Sequence, residues 1–126
     1  GMGRTEEGLK TALKLLKDIR KEFETNLFIP GSTEGVNIEL EKALRLNDFI
    51  TMGDVYKRQA LNRNESCGGH FREEYQTEEG EAKRDDENYF YVSCWEYQGS
   101  DDVAPVLYKE PLVYEAIKVQ TRNYKS

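Results

Sequence analysis

Apolar residues recur at helical spacing near the start of the chain. Leu9, Ala12, Leu13, Leu16, Ile19 and Phe23 fall on one stripe, with lysines and acids opposite. This predicts an amphipathic helix over Thr5–Glu24. Thr5 is placed to cap it, and Glu6 and Glu7 put negative charge at the positive end of its dipole. Leu15 lies off the stripe and calls for a second contact. Pro30, Gly31, Ser32 and Gly35 then break the pattern, so residues 26–37 read as a connector. Leu40, Ala43, Leu44, Phe49, Ile50, Val55, Tyr56 and Ala60 give a broad apolar side to a second helix over Ile38–Asn62. Gly53 weakens it by about 1 kcal/mol relative to alanine. Two helices joined this closely most simply pack antiparallel.

The character changes near Asn64. From there to Asn88 the chain is polar, with paired glycines and many charges, and shows neither period. Tyr89–Tyr97 is rich in strand formers, Gly99–Asp102 signals a turn, and Val106–Lys109 is suited to return as the partner strand. Ile117 and Val119 alternate with Lys118 and Gln120, a half-buried extended pattern. The expected fold is α+β and mainly helical: an antiparallel two-helix hairpin, then a polar loop, a β-hairpin and an extended tail. Residues 1–63 form the helical portion, and 64–126 the loop, hairpin and tail. Gly1 before Met2 reads as a tag-cleavage remnant and is set aside.

Composition narrows the function. The 126 residues are one domain's worth or part of a larger chain; 37% are hydrophobic and 33% charged, so the core is small and the surface highly charged. A net charge of −6 disfavours a nucleic-acid partner. Lys10, Lys14, Lys17 and Lys21 share a helical face and read as a solvated one. No apolar run approaches the roughly 20 residues that cross a bilayer. Two cysteines and no signal peptide fit a reducing, cytoplasmic setting.

Little of this chemistry points to catalysis. No glycine-rich dinucleotide fingerprint, phosphate loop or nucleophile elbow is present. Cys67 and His70 have Cys-x-x-His spacing and Cys94 follows, but structural zinc needs four ligands and only three soft candidates exist. A packed thiol and a hydrogen-bonded imidazole explain them better. His70, the only histidine, has Glu65, Glu73 and Glu74 close in sequence, a commonplace arrangement. Arg84, Asp85, Asp86 and Glu87 read as a charge-paired loop cap rather than a metal cluster. No catalytic, cofactor-binding or metal-ligating residue is assigned.

The run Arg63-Asn64-Glu65-Ser66-Cys67-Gly68-Gly69-His70-Phe71-Arg72 resembles the Arg-x-Glu-Ser-Arg-Gly-Ala-His-x-Arg signature of succinate dehydrogenase and fumarate reductase flavoproteins. Arg84-Asp85-Asp86-Glu87-Asn88-Tyr89 is similar to the Arg-Asp-Asp-x-x-Trp block that follows in that family, and Gly8–Arg20 resembles the helix before it. Together these cover nearly the whole chain in the family's order. Cys67 stands for the usual Arg, Gly69 for Ala and Tyr89 for Trp, and Val92 falls where His often follows; these departures resemble the fumarate reductases of anaerobic bacteria.

The resemblance implies the C-terminal region of the flavoprotein subunit. This region is part of a three-helix, spectrin-repeat-like bundle whose first helix lies before Met2. The parent interconverts succinate and fumarate through FAD and exchanges electrons with an iron–sulfur subunit and quinone. It sits peripherally on the cytoplasmic face of a bacterial inner membrane. The implied partners are the FAD-binding domain of the same subunit and the iron–sulfur subunit. FAD and substrate are held upstream, so this chain alone is expected to be inactive. Arg63, Glu65, Ser66, Gly68, His70, Arg72, Arg84, Asp85 and Asp86 become candidates for interface or loop-fixing roles. Uncovered apolar faces on two helices also raise the prospect of a homodimer. The alternative function is a free-standing helical protein-interaction domain.

Overall fold

The computed structural model describes residues 2–100 and 102–121. Helix α1 spans Glu6–Asn26 and α2 spans Ile38–Asn62. Thr5 Oγ1 accepts the Gly8 amide at 3.0 Å, satisfying one of the donors that a helix start leaves unpaired. Asn37 caps α2 through the amides of Glu39 and Leu40, both at 3.1 Å. Its Nδ2 also donates to the Pro30 carbonyl at 3.2 Å, which ties the connector to the helix it feeds. Gly31 sits there at φ 115°, and an added Cβ would come within 2.7 Å of that amide nitrogen.

The two helices run antiparallel. Leu16 of α1 packs over Gly53 of α2, and one turn further Arg20 Nη2 donates to Thr51 Oγ1 at 2.9 Å. The buried α2 positions are Ala43, Ile50 and Ala60, and the buried α1 position is Leu9. The broad apolar side expected of α2 is therefore only partly used. Leu44 and Phe49 remain 62% and 67% exposed, and Leu15 and Ile19 of α1 are exposed too. Two helices bury one seam, and among the described residues no further long helix covers the large side chains to either side of it.

The polar stretch after α2 has more structure than its sequence signals. Strand β1 (Gly3–Arg4) pairs in parallel with β2 (Phe71–Arg72), and Glu73 donates its amide to the Arg4 carbonyl at 2.8 Å. A single helical turn, α3 (Asp86–Tyr89), follows. Strands β3 (Tyr91–Glu96) and β4 (Val106–Pro111) form the antiparallel hairpin, with Cys94 opposite Tyr108. Gly99 takes φ 80° in the connection; Asp101, within the expected turn, lies outside the described residues. Beyond β4 the chain is extended, with Tyr114 edge-on to Phe90 at 5.6 Å. Ile117 and Val119 correct the expectation of half-burial: both are exposed, because among the described residues no sheet face opposes them. The tail beyond residue 121 is outside the described part. Among the described residues, no helix is long and apolar enough to cross a membrane.

The buried apolar set is small: Leu9, Ala43, Ile50, Ala60 and Tyr91. Three polar residues are buried as deeply: Glu65, Ser66 and Arg72. They stand together at the end of α2.

Candidate functional site

The segment leaving α2 folds back beneath the helix end and is fixed there by charge. Gly68 and Gly69 make the tip. The backbones of Cys67 and His70 exchange two hydrogen bonds, at 2.8 and 3.0 Å, across a two-residue turn. Its first central residue, Gly68, has φ 57°, which a Cβ-bearing residue adopts at a cost. The turn brings Arg72 under the last turn of α2.

Arg72 is fully buried. Its Nη1 donates to the carbonyls of Ala60 and Leu61 at 3.2 and 3.4 Å, supplying partners to groups that a helix C-terminus leaves open. Its positive charge also suits the negative end of the α2 dipole. Nε pairs with Glu74 at 3.0 Å, and the guanidinium lies 5.4 Å from the Tyr75 ring centre. The backbone is held as well: the Arg72 amide donates to Ser66 Oγ at 2.8 Å, and that hydroxyl donates back to the Arg72 carbonyl at 3.1 Å. Nη2 is buried without a partner, a cost the other contacts must offset.

Glu65, 2% exposed, is the second anchor. One carboxylate oxygen accepts from Arg63 Nε at 2.7 Å and the other from the Asp85 amide at 3.0 Å. Arg63 also reaches the Tyr89 carbonyl and lies against the rings of Tyr89 and Tyr91 at 5.8 and 5.4 Å. Asp85 caps α3 through the Asn88 amide at 3.2 Å. Glu65 thus binds the end of α2 to the start of α3. Arg84 is more peripheral: it pairs with Asp86 at 3.0 Å and donates to the Gln120 carbonyl at 3.1 Å, pinning the tail. Arg63, Glu65, Ser66, His70 and Arg72 come together with Asp85, Gly68 marks the tip, and the half-buried Arg84 pairs separately with the exposed Asp86.

Arg4 and Glu74 complete the network; Arg4 was not singled out from sequence, and Glu74 was noted only as an acid near His70. Arg4 Nη1 is 3.0 Å from His70 Nδ1, and Glu74 accepts the Glu6 amide at 2.5 Å. No local pattern marks them, since β1 is two residues long and its partner lies 68 residues away. The Glu6 amide, first, and Arg72 hold the Glu74 carboxyl below the usual range.

His70 is locked by its neighbours. Arg4 donates to Nδ1, so Nε2 carries the hydrogen and donates to the Arg63 carbonyl at 2.9 Å. Burial lowers the imidazole pKa; the Arg63 carbonyl opposes this, Arg4 and Arg72 add to it, and Glu65 opposes it weakly. With both nitrogens engaged, the ring is a structural strut. The folded state therefore resists a proton that the unfolded chain accepts near pH 6.5. Stability contributed here is flat above that pH and falls as pH drops below it, because the unfolded state then binds more protons. Urea midpoints at pH 7.5 and 5.5 are expected to fall further for the unsubstituted chain than for His70→Gln.

Among the described residues, no group of three or more His, Cys, Asp and Glu is placed to hold a metal. Cys67 and Cys94 are free and exposed. The strand-to-helix passage from β1 into α1 opens on Glu6 and Glu7, whose carboxylates oppose a pyrophosphate.

Residues 1–124 match the family described as "Fumarate reductase flavoprotein C-term". The chain is similar to an uncharacterized FAD-dependent oxidoreductase of Methanocaldococcus jannaschii, 31% identical over 72 residues, which are 57% of this chain and 12% of that protein. Its fold matches FrdA of Escherichia coli quinol fumarate reductase, solved as a point mutant, with a TM-score of 0.76 at 20% identity. That match covers 96% of this chain and 20% of FrdA, so the chain spans about a fifth or less of these relatives.

Proposed function

Because the chain belongs to the fumarate reductase flavoprotein C-terminal family, we propose that it is the accessory and docking region of a succinate dehydrogenase or fumarate reductase flavoprotein subunit. In this reading it lies against the FAD-binding domain of the same subunit and beside an iron–sulfur subunit, peripherally at the membrane. Flavin binding and succinate–fumarate chemistry belong to the remainder of the subunit. The 1–63 helical portion offers the docking face, and the 64–126 portion is fixed to it by Arg63, Glu65, Ser66, His70 and Arg72.

The observation that carries the reading is the uncovered apolar surface of the helix hairpin, at Leu15, Ile19, Leu44, Phe49 and Met52. Leaving such side chains in water forfeits about 1.5–3 kcal/mol each. A neighbouring domain or a second copy relieves that cost, and family membership favours the neighbouring domain. The rigid end of α2 supports the same reading: a docking element gains affinity when its geometry is fixed beforehand.

The purified chain is expected to bind no FAD and to show neither succinate oxidation nor fumarate reduction. Absorbance after gel filtration checks this: no flavin band is expected, whereas stoichiometric flavin would contradict the assignment of cofactor binding to the rest of the subunit.

A further inference from the structure

A cleft opens between the end of α2, the Cys67–His70 turn and β3, and its walls carry Arg4, Arg63, His70, Asn62 and Tyr91 but no carboxylate. In a chain of net charge −6 that is a local reversal of sign. The cleft is open to solvent and has a volume of about 480 Å³, within the range of small-ligand sites.

Each guanidinium has five N–H donors. Arg4 directs its donors to His70 Nδ1 at 3.0 Å and Tyr56 Oη at 2.5 Å, and Arg63 directs its donors to Glu65 at 2.7 Å and the Tyr89 carbonyl. These bonds leave further donors on both forks. They also hold the forks in place, since His70 accepts from Arg4 and donates to the Arg63 carbonyl.

We propose that this cleft binds a carboxylate between Arg4 and Arg63. A planar guanidinium matches a carboxylate in two parallel hydrogen bonds. The counter-charge of Arg63, Glu65, is buried behind it rather than on the cleft wall. The cleft lies at the carbonyl end of α2, where the dipole is negative. That end opposes any anion, and a doubly charged phosphate more than a singly charged carboxylate, so the two guanidinium groups must supply the attraction. A free organic acid or an acidic side chain of a docked segment supplies the same group. The inference does not depend on the docking reading.

The single histidine makes the test direct, because its imidazole gives one set of proton resonances. The chain is titrated with acetate, glutarate, a short Asp/Glu peptide, inorganic phosphate and chloride at matched ionic strength. Saturable movement of the His70 resonances with a carboxylate is expected, weakened about tenfold or more in Arg4→Gln and unchanged in Lys14→Gln. Saturation by acetate or glutarate identifies a free acid as the ligand, and saturation by the peptide alone identifies a docked side chain. Linear drift, an equal response to chloride, tighter binding of phosphate, or an Arg4→Gln variant that binds as well as the parent would overturn the proposal.

Discussion

Replacing Arg72 with alanine is expected to lower the unfolding free energy by about 3 kcal/mol, the lower part of the range for breaking a buried ion pair. The side chain is fully buried, so its charge is not paired through water. Its loss orphans the Ala60 and Leu61 carbonyls at the end of α2 and empties the space against Tyr75. The expected loss lies at the lower end because Glu74 is 38% exposed and keeps the Glu6 amide as a partner. Arg72→Lys is expected to recover only part, since an ammonium cannot reach the helix carbonyls and Glu74 with one rigid fork. Urea unfolding checks this through a lowered midpoint at unchanged slope. A shift below about 1 kcal/mol, the scale of exposed pairs, would contradict it. Arg84→Ala serves as the contrast: its partner Asp86 is exposed, and its ion pair is worth about 0–1 kcal/mol.

Glu65→Ala is expected to cost a similar amount, about 3 kcal/mol. The carboxylate serves Arg63 and the Asp85 amide at once, and both lose a buried acceptor, although the half-buried Arg63 keeps the Tyr89 carbonyl and some contact with water. Glu65→Gln keeps the shape but turns an N–H toward one of two donors, so a loss of about 1–2 kcal/mol is expected. A structural reporter accompanies the energy. Faster amide exchange at Asn88 and Tyr89 is expected, because α3 loses its tie to α2. In a double-mutant cycle, Arg63→Ala and Glu65→Ala should couple by more than about 1 kcal/mol. Additive losses and unchanged exchange would mean that Glu65 acts alone.

The helices were legible because each carries a long period. Thr5 stands beside its stripe, so local chemistry suffices for α1; α2 was legible from its apolar side, while its Asn37 cap was read only as the end of the connector. The β-hairpin was legible for the same reason, through Tyr91–Glu96 and the turn that follows. The network at the end of α2 was only half legible. Arg63, Glu65 and Arg72 stand close in sequence, and their resemblance to a family signature drew them together. Arg4 and the Tyr89 carbonyl arrive from elements of two and four residues, too short for any period. Ile117 and Val119 show the reverse failure: alternation is a property of the segment itself, but burial requires an opposing face that the described residues do not provide. The exposure of Leu44 and Phe49 was legible, because the apolar side of α2 is broader than one partner helix can cover.

The central claim is that the helix hairpin is a docking face for the rest of a flavoprotein subunit. Mixing the chain with the separately produced remainder of that subunit and measuring mass by light scattering on gel filtration tests it most directly. A one-to-one complex is expected, with slowed amide exchange in α1 and α2 on complex formation. Separate elution of the two parts across a dilution series, or a stable dimer of the chain that excludes the remainder, would contradict the account.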